Sequence, residues 1–109
     1  MSRLSSKMDN LHEWKNYIYS WDNTKDETNK HKHGVSFREA MTVFDDDDAL
    51  YKPDPDHSIE EERFIIIGYS AKEKLLVVCH CYRDDDMIIR IFSARKANNE
   101  EHKEYGGRL

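Results

Sequence analysis

Residues 63–93, RFIIIGYSAKEKLLVVCHCYRDDDMIIRIFS, decide the fold. They hold three runs rich in β-branched and aromatic residues, 63–69, 75–83 and 87–93, each of strand length and each bounded by polar turn residues. Ser70-Ala71-Lys72-Glu73-Lys74 joins the first two runs, and Asp84-Asp85-Asp86 joins the last two. Connections this short make consecutive antiparallel hairpins, so the stretch predicts a three-stranded meander. If the three aspartates form the whole loop, Arg83 pairs with Met87. Counting back then places His80 opposite Arg90 on one face of the sheet.

Upstream, Ser36-Phe37-Arg38-Glu39 is a capping box, and Val35, Phe37, Ala40, Met41 and Phe44 form one apolar stripe, which predicts a helix over 37–44. Before it, Asp22 or Asn23 can cap a polar helix ending at His33, with Gly34 as its stop. Tyr17-Ile18-Tyr19-Ser20-Trp21 reads as a strand. Residues 1–16 show no sustained period and are read as an N-terminal extension ending in at most a helical turn, leaving 17–109 as a single domain. Residues 45–59 carry both prolines and an acid run, so they read as an exposed connection with at most an edge strand over 49–52. Asn98 or Asn99 caps a last helix over 98–105. The expected order is β-α-α-(β)-β-β-β-α, an α+β domain with helices packed on a small antiparallel sheet.

Composition narrows the function. The chain's 109 residues supply one core, and 38% apolar content with a mean hydropathy of −0.94 confines that core to a few segments. No apolar run approaches the roughly 20 residues of a spanning helix, and the first residues lack a signal-peptide pattern, so the expectation is a cytoplasmic protein with no membrane partner. Cys79 and Cys81 stand too close to staple distant segments and read as reduced core residues. Glycines at 34, 68, 106 and 107 make no phosphate loop, and no serine stands in a nucleophile elbow, which argues against nucleotide hydrolysis and acyl transfer. The net charge of −5 is local: Asp45, Asp46, Asp47, Asp48, Asp54, Asp56, Glu60, Glu61 and Glu62 face only Lys52 between residues 45 and 62. A broad nucleic-acid surface is therefore not expected, but a pocket built from a few arginines is compatible with this balance. The acidic segment is assigned to partner contact or to counter-charge for that pocket.

Metal chemistry has little support. Strand alternation sends Cys79 and Cys81 to one face and His80 to the other, and no second ligand pair completes a set. His31 and His33 point in different directions on their helix, and Asp54, Asp56 and His57 are read as a solvated loop before a cation clip. The stronger constellation is cationic: His80 beside Arg90, Arg95 and Lys96 at the strand exit, and Arg63 and Arg83 at neighbouring strand ends. Guanidinium groups that hold a phosphate, with a group to move a proton, are what phosphodiester cleavage requires. The plainer reading is that Arg63, Arg90 and Arg95 pair with Glu60, Glu61, Glu62, Glu100, Glu101 and Glu104.

Several blocks stand in one order: Trp21-Asp22, KHGVSF from Lys32 to Phe37, Asp54-x-Asp56-His57-Ser58, Glu61-Glu62-Arg63, Ile89-Arg90-Ile91 and Ser93-Ala94-Arg95-Lys96-Ala97. Over about residues 17–105 the chain resembles the BrnT family of ribonuclease toxins. The resemblance implies a RelE-like α+β fold and metal-independent RNA cleavage that arrests translation, with no cofactor. It further implies a type II toxin-antitoxin partnership: a BrnA-like antitoxin neutralises the toxin, and operator DNA is met only through that antitoxin. Its motifs place His33, Glu62, Arg63, Arg90 and Arg95 in catalysis and Lys32 and Lys96 on the RNA. His80 as a catalytic group and Arg83 as an RNA contact rest on the strand register and a looser match. Two alternatives are a non-enzymatic partner-binding module on the same fold and a metal-binding domain using Asp54, Asp56, His57 and the Cys79 region.

Overall fold

The computed structural model describes residues 9–107. Strands β1 (Asp9–Trp14) and β2 (Tyr17–Asp22) are followed by helices α1 (Asn23–His33) and α2 (Phe37–Met41). A short edge strand β3 (Leu50–Pro53) leads into the meander β4 (Phe64–Tyr69), β5 (Leu75–Arg83) and β6 (Ile88–Lys96), and α3 (Asn99–Gly107) ends the described chain. The six strands form one sheet in the order β1-β2-β6-β5-β4-β3.

The caps act as the residues require. Asp22 accepts from Thr24 N at 2.8 Å to open α1, and Gly34 closes it at φ 70°, a left-handed turn that favours glycine. Ser36 accepts from Glu39 N at 3.0 Å, but Glu39 turns its carboxylate to the buried Ser70 hydroxyl at 2.7 Å instead of completing the box. That bond ties α2 to the β4–β5 turn. The helix expected over 37–44 stops at Met41 and continues as a 3-10 turn, Thr42–Asp45. This turn presses on β4 at Gly68, where a Cβ would lie 3.0 Å from Val43. Asn98 and Glu101 cap α3 reciprocally at 2.9 Å each.

Three expectations are corrected. Residues 9–14, expected within an N-terminal extension ending in at most a helical turn, form β1 and pair antiparallel with β2; residues 1–8 lie outside the described residues. The sheet is mixed, because β2 pairs parallel with β6 over Ile18, Ile89 and their neighbours. The last hairpin has a four-residue connection, with Arg83 opposite Ile88 and Asp84, Asp85 and Asp86 all at positive φ.

One sheet face packs α1 and α2 over a core that includes Tyr19, Trp21, Phe37, Met41, Ile66, Val78 and Ile91. The other carries Ile67, Leu75, Val77 and, from α3, Tyr105. After β2 leaves β6, α1 takes over that edge: buried Asn29 donates to Ala94 O at 2.8 Å and accepts from Ala94 N at 3.2 Å, doing the work of a strand neighbour. The N-terminal end of α1 is thereby held beside the bulged part of β6.

Candidate functional site

On the α3 face of the sheet a cleft of about 330 Å³ is lined by Lys25 of α1, Asp54 and His57 from the loop before β4, and Arg63 and Ile65. Val77 and Cys79 of β5 and Phe92, Ser93 and Arg95 of β6 complete it. Between Cys79 and His80 the β5–β6 register shifts: Cys79 faces Ser93, whereas His80 faces Ile91. Phe92 is the extra residue. This bulge lets Phe92 and Ser93 both line the cleft, where strict alternation would send them to opposite faces.

The loop over residues 54–63 is closed on itself. Asp54 N donates to Arg63 O at 2.9 Å. The Ser58 hydroxyl donates to Asp54 O at 2.7 Å and accepts from Arg63 N at 2.9 Å. Pro55 stands in the first turn of the short 3-10 segment Pro55–His57, where its missing N–H costs nothing. The chain therefore delivers Asp54, His57 and Arg63 to one place, although the first and last stand nine positions apart. Asp54 is 7% exposed, and its Oδ2 accepts from His57 Nδ1 at 3.0 Å and from the Cys79 thiol at 3.4 Å. Burial, with the Asp54 carboxylate beside it, pushes the Cys79 thiol up to about 12, so it stays protonated and donates.

Cations gather round Phe92. The Arg63 guanidinium lies 3.7 Å from the ring centroid, Lys25 Nζ 5.6 Å and the Arg83 guanidinium 5.8 Å. Arg63 Nε is enclosed with no hydrogen-bond acceptor among the described residues, and its nearest carboxylate, Glu61, is 3.9 Å from a terminal nitrogen. The other two arginines of this side are tied. Arg83 reaches both Glu61 oxygens at 2.9 and 3.2 Å, and Arg95 makes a bidentate pair with Glu101 at 2.8 Å on each arm. Burial would raise the Glu61 carboxyl, but the bond and charge of Arg83 outweigh it and hold it below its ordinary value; Arg95 does the same for Glu101. For Arg83 and Arg95 the plainer pairing reading thus describes the molecule.

The remaining expected residues are dispersed. His80 and Arg90 do not share a face, because Cys81, and not His80, stands opposite Arg90. One more residue in the hairpin loop than expected reverses the assignment. His80 is fully buried among the rings of Phe44, Phe64 and Tyr82, and burial lowers its pKa to about 4. Arg90 reaches the Ser20 hydroxyl at 3.5 Å on β2. Lys32 and His33 are exposed at the C-terminal end of α1, outside the cleft, and Lys96 is exposed at the end of β6. Glu62 lines a separate recess with Glu61, Phe64, Tyr82 and Asp86.

Four cleft residues stand outside the catalytic set expected from the sequence. His57 and Asp54 carry a signal, a carboxylate and an imidazole three apart beside a proline, but that pattern also fits the solvated loop or cation clip expected above. Lys25 on a polar helix and Phe92 at a bulge carry none. Asp54, His57 and Cys79 meet in hydrogen-bonded pairs, and among the described residues no group of three or more such side chains could hold a metal ion.

Comparison with known proteins adds to this geometry. The family model described as the ribonuclease toxin BrnT of type II toxin-antitoxin systems matches residues 21–101. The crystal structure of the Brucella abortus ribonuclease toxin BrnT superposes with a TM-score of 0.56 at 22% identity, covering 72% of this chain and 94% of that one, which is a likeness of fold. No curated protein sequence matches the chain at a significant level.

Proposed function

The chain belongs to the BrnT family of ribonuclease toxins of type II toxin-antitoxin systems, and from that membership we propose that it cleaves RNA in the cleft where Arg63 and Lys25 flank Phe92. The observation that carries this reading is Arg63. Its guanidinium carbon lies 3.7 Å from the Phe92 ring centroid and its terminal nitrogen is no nearer than 3.9 Å to Glu61, which leaves the terminal N–H groups for phosphate oxygens. A guanidinium so placed binds a phosphodiester and gains strength as the attacked phosphorus takes on a second negative charge. Lys25 supplies a second positive charge, while Arg95 at the cleft edge is neutralised by Glu101. In this reading side-chain cations replace a metal, and Lys32, His33 and Lys96 guide the strand outside the cleft. Cleavage arrests translation in the cytoplasm until a BrnA-like antitoxin covers the site, and operator DNA is contacted through that antitoxin alone. The RelE-like description belongs to this same reading.

The test is direct. Purified protein should cut single-stranded RNA in the presence of a chelator, and induction in cells should arrest growth unless the neighbouring antitoxin gene is co-expressed. Arg63→Ala should melt within about 1 kcal/mol of wild type, since it loses a partly exposed cation–π contact, yet lose on the order of 100-fold in cleavage rate. An Arg63→Ala protein that cuts as fast as wild type would remove the cleft from the reaction. A wild-type protein that neither cuts RNA nor arrests growth would favour the partner-binding module.

A further inference from the structure

We infer that His57, oriented by Asp54, is the base that takes the 2′-hydroxyl proton, an assignment that rests on the ribonuclease reading above. His57 lines the same cleft as Arg63, Lys25 and Phe92. Its side chain is 65% exposed, so an incoming strand can reach it. The Asp54 carboxylate can only accept, so the 3.0 Å contact places the ring proton on Nδ1 and leaves the Nε2 lone pair for substrate. Asp54 is in turn fixed: it is 7% exposed, it also accepts the Cys79 thiol, and its backbone is stitched to Arg63 and Ser58. A buried carboxylate, an imidazole in a set tautomer and a phosphate-binding arginine on one short loop form the orienter, base and clamp of a proton-transfer site.

The competing groups at the cleft are occupied. Glu61 is held by Arg83, Glu101 by Arg95, and the Cys79 thiol is kept protonated. The charged and titratable groups that line the two recesses at His57 are Asp54, Asp56, Glu60 and Glu61 from its own loop, Arg63 just before β4, Cys79 from β5, Arg95 from β6 and Lys25 from α1. In the step, Nε2 removes the 2′-hydroxyl proton while that oxygen bonds to phosphorus. The bond from phosphorus to the 5′ oxygen breaks, and the leaving oxygen takes a proton from solvent. The products are a 2′,3′-cyclic phosphate and a 5′-hydroxyl, and His57 returns its proton to water.

The experiment is single-turnover cleavage of a short RNA by the full chain, with chelator present. His57→Ala should fold normally, because the ring is mostly exposed, and should lose at least about 100-fold in rate, with added imidazole restoring part of it. Asp54→Asn should lower the maximal rate with KM unchanged, a split that a purely structural aspartate would not give. Binding of a 2′-deoxy analogue by each variant checks that the cleft is intact. If wild type cuts and His57→Ala cuts within about 3-fold of it, His57 is not the base although the ribonuclease reading stands. If wild type does not cut, both fall.

Discussion

His80 shows how one side chain can be misplaced by counting and then explained by its surroundings. Its Nδ1 lies 3.2 Å from Val78 O and its Nε2 3.3 Å from the Tyr82 hydroxyl, and the rings of Phe44 and Phe64 pack against it in a fully buried position, so an imidazolium would be stranded there. Its folded pKa of about 4 lies below the ordinary 6.5, which means the folded protein keeps the ring neutral while the unfolded chain takes up a proton first. Stability from this residue is therefore complete above about pH 6.5 and falls as the pH drops toward 4, by up to about 3 kcal/mol in total. His80→Gln, of similar size and without a titrating group, should flatten that part of the melting-temperature profile; an unchanged slope would mean another group titrates in its place. The arginines were readable at this scale, because three of them, Arg63, Arg83 and Arg95, punctuate strand ends or exits. Which of them keep a free edge was not, since Glu61 and Glu101 choose their partners only after β4, β5 and α3 are assembled.

Among the elements, the 3-10 turn after α2 and the helix α3 are joined by one carboxylate. Asp46 Oδ2 accepts from Tyr69 N and from the Tyr105 hydroxyl at 2.8 Å each, and its Oδ1 accepts from Asp48 N at 2.9 Å. Burial first, and then the Asp46 charge, pushes the Tyr105 hydroxyl up to about 12, so it remains a donor at any working pH. One member of the acid run is thus an internal fastener rather than a solvated charge. Asp46→Asn presents an NH₂ group toward two donors and should cost about 1–3 kcal/mol, read as a lower denaturation midpoint. Asp47→Asn should move it by less than about 0.5 kcal/mol. Equal effects would show that the run acts only through its charge. Most elements were legible because their caps are explicit: Asp22, Ser36 and Asn98 open helices and Gly34 closes one. Strand β1 was not, because the residues it lays on the core are His12, stacked 3.8 Å from Trp21, and Trp14, while Leu11 points to solvent at 53% exposure. A period-2 pattern whose inward member is a histidine does not register as apolar alternation. The parallel pairing of β2 with β6 was equally hidden, since residues some seventy apart carry no local sign of each other.

For the molecule as a whole, a protein of net charge −5 must meet a polyanion through a limited area. Asp46 contacts Tyr69 at one end of β4, and Arg63 precedes the other end at Phe64, so roughly 20 Å of strand separates the acid run from the cation cleft. That distance exceeds the screening length of about 8 Å at physiological salt, so the acids neither block the cleft nor assist it there. Two of the remaining acids of the segment work at closer range, Glu61 on Arg83 and Asp54 on His57, in the counter-charge role expected for part of this stretch. Affinity should then depend on the few phosphates that Lys25 and Arg63 can neutralise, since Arg95 is already paired with Glu101. Each neutralised phosphate of a single strand contributes a slope of about −0.7 in a plot of log affinity against log salt, so two give about −1.4. Binding of a 2′-deoxy RNA analogue should weaken by about 7-fold between 50 and 200 mM salt on that slope. Arg63→Ala should reduce the slope by about 0.7, and Asp47→Asn with Asp48→Asn should leave it and the cleavage rate unchanged. A slope of about −5 or steeper would require phosphate contacts spread well beyond the cleft, and the assignment of RNA to these two cations would be wrong.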